Sequence, residues 1–428
     1  MIARMKLNSV LPPLLSLTML VMQILDPSKI WQALFVAFSG LWLAAWWWAR
    51  SLKLNVRLTR EVRFTWAQVG DALEERFTLT NHGHVPATWV EVVDHSTLPD
   101  YSAACAVGVD QASVNVWSTR AVCKRRGVYE LGGTTLRCGD PFGIYSVEIF
   151  LPEKTTLVVM PPVIPLPTVE ITPGGWMGDG RPRPNLVDQT VNAATVREFT
   201  QGENPKIIHW PTTARQRKFY ARQLDGAPAS DWWIALDADA GVQAGADWEN
   251  TLELGIILTA SLADRSLRAR HSVGLLASGR QTTWLKPQSG ERHRLEIFRA
   301  LAMLEPGQLP LAQLLERANS SLGNRISLIV ITPSIKTDWI PALTHLMWKG
   351  IHPTVLLMDP SSFGAPQKAD ALAGIFAQLG IPRFILNRSL LQQPEAHPGE
   401  GQWAWRITPS GKAISARPPS DMTWKRLG

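Results

Sequence analysis

Residues 196–241 read VREFTQGENPKIIHWPTTARQRKFYARQLDGAPASDWWIALDADAG, and the end of this stretch decides the fold. Residues 232–236 are a short apolar run that closes on Asp237-Ala-Asp239-Ala-Gly241. A run of that length, bounded by turn formers, suits a central strand covered on both faces. Acidic residues at the carboxyl end of such a strand lie where open α/β sheets place their ligand crevice. Ahead of the strand the chain is dense in chemistry, with Arg197, Glu198, Glu203, His209, Trp210, Arg215, Arg217, Lys218 and Arg222.

Working towards the C-terminus, strand and helix patterns alternate. The periodicity predicts a helix over 247–268, with Leu252, Ile256, Thr259 and Ala263 on one face. A strand is expected at 272–277, with 282–285 as its partner. Helices follow at 291–304 and 311–320, then a β-branched strand at 326–331. The last elements expected are a helix at 338–349, a strand at 354–358, a helix at 366–379 and a strand at 384–386. This order implies a mostly parallel sheet with helices on both faces, in a domain spanning 196–388. The tail over 389–428 is polar and Pro-rich and is expected to be partly disordered.

Towards the N-terminus, residues 54–165 carry short alternating runs at 55–60, 73–79, 89–93, 114–119, 127–131 and 155–160. Turn signals at Asn81-His-Gly83-His84 and Gly132-Gly133 separate some of them, which predicts a small β-sandwich. Asp140-Pro-Phe-Gly143 reads as a tight turn, with Phe142 expected to be buried as its anchor. His82, His84 and His95 suit turns and surface better than a metal cluster. Residues 166–195 are rich in Pro and Gly and read as a connector.

The first 53 residues predict a transmembrane hairpin, with helices over about 10–25 and 30–49. Trp46, Trp47 and Trp48 fall where an aromatic belt belongs. A signal peptide would need a small-residue cleavage site before Pro27, and a second apolar run follows at once instead. Arg4 and Lys6 on one flank, and Arg50, Lys53, Arg57 and Arg60 on the other, predict a multi-pass protein of the cell (plasma) membrane with its bulk in the cytoplasm. The net charge of +7 over 428 residues then suits an anionic lipid surface better than nucleic acid. Cys105, Cys123 and Cys138 have no metal-type spacing and read as reduced thiols.

Several of these pieces together resemble the domain-of-unknown-function 58 family of bacterial and archaeal membrane proteins. They are the apolar hairpin, Arg125-Arg-Gly-Val-Tyr129, Asp140-Pro-Phe-Gly-Ile144, Arg197-Glu-Phe199, Gln201-Gly-Glu203, Ile207-Ile-His209-Trp210 and Thr213-Ala-Arg215. The chain departs from the family pattern at His209, where an acid is usual, and at Pro211. The resemblance implies a von Willebrand factor A-like, Rossmann-type domain beginning at the strand over 232–236. It also implies work as a partner or adaptor of a MoxR-type AAA+ ATPase and other membrane proteins.

Arg197, Gly202, Glu203, His209, Trp210 and Arg215 therefore form a motif block that clamps loops or docks a partner. As a clamp, Arg197 and Arg215 would pair with Glu198, Glu203 or Asp225. Pro211 is expected to end one helix, and Thr212 or Thr213 to cap another. In a metal-ion-dependent adhesion site the strand-end loop is Asp-x-Ser-x-Ser. Asp237 fits, Asp239 replaces a hydroxyl, Gly241 offers no side chain, and Thr332-Pro333-Ser334 lacks the usual acid. A Mg²⁺ site on Asp237 and Asp239 would thus be degenerate, and the expectation is no cofactor. The sequence has no Gly-Lys-Ser/Thr phosphate loop, Gly-x-Ser-x-Gly elbow or His-Glu-x-x-His helix. A membrane-anchored protein-binding scaffold without enzymatic turnover is the expectation. The alternative is a metal-dependent ligand-binding or hydrolytic protein using Asp237, Asp239, His209 and Glu203. The basic run at Arg215, Arg217, Lys218 and Arg222 reads as a solvated face and not as a nucleic-acid module.

Overall fold

The computed structural model describes residues 2–166, 195–198, 210–216, 218–223, 231–320, 322–323 and 326–391, with three short strands beyond. It divides into two compact units, one of residues 1–162, 301–303 and 393–428, the other of 163–300 and 304–392.

The first unit begins with β1 (Ile2–Leu7), α1 (Leu11–Leu25) and α2 (Lys29–Asn55). Strands β2 (Val56–Val62), β3 (Trp66–Gln68), β4 (Ala72–Asn81), β5 (Ala87–Asp94), β6 (Cys105–Val109), β7 (Ser113–Val122), β8 (Gly127–Gly139) and β9 (Tyr145–Met160) follow. One sheet runs β1-β9-β8-β5-β6, with β3 parallel to β9; β2, β4 and β7 form the other. Alternate residues of each sheet point inward, so Phe77 and Leu79 share one core with Val90, Val92, Leu136 and Ile149. The sandwich is thus as the alternation of residues predicts, with three differences. Arg4 and Lys6 do not flank a helix freely but lie in β1, paired with Glu148 and Ser146 of β9. Gly132-Gly133 is not a turn but a bulge within β8, where a Cβ on Gly132 would stand 2.3 Å from the Glu153 carbonyl. Strand β6 carries no alternation strong enough to have been expected.

Arg60 is buried between the sheets, where its guanidinium donates to Glu75 Oε1 and Oε2 at 3.0 and 2.6 Å, Asp94 Oδ1 at 2.7 Å and Ser96 Oγ at 2.8 Å. Tyr101 adds a hydrogen bond to Glu75 and another to Thr119 at 2.9 Å. Glu75 sits on β4 and Asp94 ends β5, so this clasp ties one sheet to the other. Arg60, counted above as a membrane-flanking charge, is therefore committed to the core. Cys123 and Cys138 are buried, which pushes both thiols up to about 12.

α2 runs beyond residue 49 to Asn55 because its later turns enter the sandwich. Ala45, Ala49 and Leu52 are fully buried there. Trp42 Nε1 donates to the Tyr145 hydroxyl at 2.7 Å, and Trp48 Nε1 to the Pro86 carbonyl at 3.1 Å. Among the described residues, α2 is the one helix long and apolar enough to cross a membrane. α1 has 15 residues, short of the ~20 that span a hydrocarbon core. The expected pair of spanning helices is thus reduced to one long apolar helix with a shorter apolar companion.

The second unit carries β10 (Thr195–Glu198), α3 (Trp210–Gln216), β11 (Tyr220–Gln223), β12 (Asp231–Leu236), β13 (Gly245–Ala246) and β14 (Glu249–Asn250). It continues with α4 (Thr251–Arg268), β15 (Ser272–Ser278), β16 (Thr282–Gln288), α5 (Glu291–Ala302) and α6 (Leu311–Asn319). It ends with β17 (Ser327–Thr332), α7 (Ile340–Trp348), β18 (His352–Met358), α8 (Ala373–Gln378) and β19 (Arg383–Leu386). The main sheet has the order β16-β15-β12-β17-β18-β19, parallel except at the edge strand β16. Along β12 successive side chains go to opposite faces. Trp233 and Ala235 pack with Leu314, Leu343 and Phe376 on one side. On the other side α4 packs so closely that a Cβ on Gly255 would meet Leu236 Cδ1 at 2.8 Å.

α4 is buried nearly all round, at 16 of its 18 residues, and not on one face as its periodicity alone suggests. It starts at Thr251 because the side chain of Asn250 accepts from the Glu253 N–H at 2.8 Å, which caps it; residues 247–250 are turn and strand. The helix expected over 366–379 is a 3₁₀ turn at Ala369–Leu372 followed by the short α8. In the tail, β20 (Trp405–Ile407) pairs with β21 (Ala413–Ser415), and β22 (Lys425–Arg426) joins β2 of the sandwich.

Candidate functional site: an acidic notch at the switch point

The chain moves from β12 to β15 on one side and returns to β17 on the other, so the strand order reverses at β12. Loops leaving β12 and β17 must diverge there and leave a gap. Asp237 leaves β12 and Thr332 ends β17, and the two meet across this gap. The Thr332 hydroxyl donates to Asp237 Oδ2 at 2.6 Å, and the Asp239 N–H donates to Asp237 Oδ1 at 3.1 Å. Thr332 Oγ1 in turn accepts from the Ser334 N–H at 2.9 Å.

The loop over 237–241 is held from several sides. Ala238 N–H donates to Ser278 Oγ at 3.0 Å, and Gly241 N–H to Asp239 Oδ1 at 3.0 Å. Gln243 Nε2 donates to the carbonyls of Asp237 and Asp239 at 3.1 and 3.2 Å, and Gln243 Oε1 accepts from the hydroxyl of Thr251 at the start of α4. Gly307 exchanges backbone hydrogen bonds of 2.8 Å with Ala238 and Ala240. A side chain on Gly307 would stand 2.3 Å from the Gly279 carbonyl, so only glycine lets these loops close.

The gap is a notch of about 60 Å³ whose lining includes Asp237, Asp239, Ser334, Lys336, Asp338 and Trp339. Asp237 is wholly buried, Asp239 half-buried, and Asp338 and Lys336 exposed at the mouth. Burial pushes the Asp237 carboxyl up to about 6. The carboxylates of Asp239 and Asp338 add to the rise, and the hydrogen bonds from Thr332 and the Asp239 N–H oppose it. The notch has room for a single cation or the tip of one basic side chain.

Asp237 and Asp239 therefore meet as expected, but the loop after β17 does not lack an acid. Asp338 supplies it because α7 begins only at Ile340, which leaves Asp338 in the loop and not in the helix predicted over 338–349. Lys336 and Gln243 were not singled out from the sequence; an acid one loop after a strand end would have pointed to this group. Of the motif block, Gly202, Glu203 and His209 lie outside the described residues, as does Asp225. The paired clamp cannot be traced through them. Arg197 lies on β10, opposite Ala221 of β11, in a two-stranded ribbon. Trp210 opens α3, and Arg215 is exposed in its last turn. Pro211 falls in the first turn of α3 and does not end a helix, because its missing N–H has no partner to lose there. Thr212 and Thr213 lie inside α3; Thr213 Oγ1 accepts from the Tyr220 N–H at 3.1 Å. His82, His84 and His95 are exposed, and no cluster of three or more metal-ligating residues occurs among the described residues.

The second unit is thus an open, doubly wound α/β domain with an acidic notch at its switch point. Residues 195–369 match the family described as "Protein of unknown function DUF58". No curated protein matches the chain. Among solved structures, the chain is similar to a von Willebrand factor type A protein from Catenulispora acidiphila, at 10% identity and a TM-score of 0.26. That alignment covers 39% of this chain and 41% of the other. Proximal thread matrix protein 1 from the mussel byssus aligns at 14% identity and a TM-score of 0.27, over 39% of this chain and 43% of that one. A CARDB domain from Pyrococcus furiosus aligns at 14% identity and a TM-score of 0.18, over 24% of this chain and 94% of that one. The α/β assignment rests on the strand order itself.

Proposed function

We propose that this chain is a membrane-anchored protein-binding platform, multi-pass, with its bulk in the cytoplasm and no turnover of its own. Its acidic notch receives a basic side chain of a protein partner. The observation that carries this is the notch: three carboxylates line one gap at the strand switch point, and no ion pair to any of them occurs among the described residues. An unneutralised carboxylate field at a loop-built rim attracts a cationic group and sets its register. The resemblance in the sequence makes a MoxR-type AAA+ ATPase the first partner to test. The full chain in nanodiscs should retain that ATPase, and the double variant Asp239→Asn/Asp338→Asn should retain it at least about tenfold less tightly. Equal retention by both would remove the notch from the interface. Arg215→Ala separates the notch from the motif block: retention lost there, in a folded protein, makes α3 the docking element instead.

Supporting the topology, both ends of the helix pair return to one sandwich, β1 to one sheet and β2 to the other. Membrane crossings between them must then be even in number. Arg50 and Lys53 stand beside the sandwich end of α2, which favours the cytoplasmic side. Protease added outside sealed, right-side-out vesicles should leave the sandwich and α/β domain intact; their digestion would invert the topology.

A second reading has one specific support: Asp237, Thr332 and Ser334 offer oxygen ligands of the kind a divalent cation takes. Mg²⁺ titrated into the full chain should then release heat that Asp237→Asn abolishes. A silent titration leaves the basic side chain as the occupant.

A further inference from the structure

We infer that the Asp140–Tyr145 turn is a second membrane contact, a rigid wedge whose Phe142 seats the end of the sandwich in the interface of the lipid bilayer beside the helix pair. This rests on the membrane anchoring proposed above and adds a surface to it.

The turn is built for presentation. Asp140 is buried, and its carboxylate accepts from the N–H groups of Phe142 at 2.9 Å, Ile144 at 3.4 Å and Tyr145 at 2.5 Å. Gly143 takes φ +71°, which favours glycine, and so closes the turn. These bonds fix the backbone while leaving Phe142 56% exposed, and not buried as the turn motif predicts. Asp140 thus fixes the β8–β9 connection, and among the described residues Phe142 stands on it largely in solvent.

Its place in the unit accounts for that exposure. The Ile144 carbonyl accepts from Asn8 and Ser9 at 2.8 and 3.3 Å, immediately before α1 starts. Tyr145 binds Trp42 of α2. The turn therefore lies at the root of both apolar helices. Trp89, 44% exposed, packs over Gly139 at the same sheet end. On α2, Trp46 and Trp47 are 39% and 52% exposed, and Arg50 lies over the Trp46 ring at 5.5 Å. Exposed aromatics with a basic residue among them are the composition of a bilayer interface. The apolar outer surfaces of α1 and α2 run directly into this collar, so one lipid phase covers helices and collar together.

The test uses the full chain alone, reconstituted in phosphatidylcholine–phosphatidylglycerol vesicles, so no protein partner is present. In a Cys105→Ser background the remaining cysteines are buried, and Phe142→Cys, Val128→Cys and Val36→Cys each carry an environment-sensitive fluorophore. Val128 is exposed at the opposite end of the sheet, paired with Val158, and Val36 is exposed on α2. The Phe142 label should shift to the blue and be quenched by nitroxides carried near the lipid headgroup, while the Val128 label stays unquenched. Quenching at Val36 but not at Phe142 overturns the wedge and leaves the anchor standing. Quenching at neither overturns both. Quenching at Val128 as strongly as at Phe142 overturns seating by one end.

Discussion

The clasp in the sandwich and the notch in the α/β domain each gather carboxylates around a buried one, Glu75 and Asp237, and they end in opposite electrostatic states. In the clasp, burial alone would raise Asp94. The charge of Arg60 and hydrogen bonds from Arg60, Ala103 and Ser96 outweigh it and hold the carboxyl below the usual range. In the notch, burial raises Asp237 and its nearest charged groups raise it further. Elements from both sheets converge on the clasp, so an arginine could be placed between the carboxylates. The notch is formed where loops diverge, and the exposed Lys336 is the cation at its rim. The difference separates a charge cluster that holds a fold from one that awaits something outside it.

The largest expected effect breaks the clasp. Arg60→Met strips two buried carboxylates of their cation and should destabilise the sandwich by about 3–5 kcal/mol, the usual consequence of leaving one side of a buried pair uncompensated. Replacing Arg60, Glu75 and Asp94 together by apolar residues of similar size should recover most of that loss. Chemical denaturation of the full chain in detergent, followed by tryptophan fluorescence, measures both. If the single and triple variants are equally unstable, the clasp does more than satisfy its own charges.

A smaller effect, of opposite pH dependence, belongs to the notch. A carboxyl whose pKa is higher in the folded chain than in the unfolded one binds its proton more tightly when folded. Asp237, pushed up to about 6, therefore weakens the α/β domain at pH 7 by about 2–3 kcal/mol. That penalty disappears as pH falls through 6 towards 4. Asp94 behaves inversely: its lowered pKa stabilises the sandwich above the ordinary carboxylate range, and the benefit is lost below it. Hydrogen exchange can follow the two units separately between pH 7 and 4. Asp237→Asn should raise protection of β12 and β17 at pH 7, less any loss of the Asp239 N–H bond, and flatten their pH dependence. Protection in the wild type that falls on acidification through pH 6 would remove the charge field from the notch.

The uneven legibility of these two sites has a physical origin. Strand β12 and the acids after it could be read directly, because an apolar run ending in Asp237 and Asp239 is a local pattern. The sandwich was legible from alternation, and the α/β order from the change of period after it. Asp338 was missed because it joins the notch only when α7 starts two residues late, which depends on the packing of Trp339. Arg60 was taken for a membrane flank because charge beside an apolar helix is a strong one-dimensional signal. The alternation of Val56, Leu58, Arg60 and Val62 does put that side chain on the inward face, but nothing local shows that Glu75 and Asp94 meet it there. Likewise β1 depends on pairing with β9, more than a hundred residues away, which no local pattern records.

The smallest expected effect sharpens the comparison by removing burial while keeping distance. Lys154 Nζ stands 2.7 Å from Glu130 Oε2, the same separation as Arg60 Nη1 from Asp94 Oδ1. Its side chain is 49% exposed and that of Glu130 53%, whereas Arg60 and Asp94 are at 4% and 2%. Water screens the outer pair, and holding two long side chains in one geometry costs entropy, so the pair contributes under about 0.5 kcal/mol. Lys154→Met should leave the denaturation midpoint nearly unmoved, and added salt should erase what remains of its effect. A loss comparable to that of Arg60→Met would mean that ion-pair distance, and not desolvation, sets the value of a charge in this sandwich, and the contrast between clasp and notch would have to be rebuilt on geometry alone.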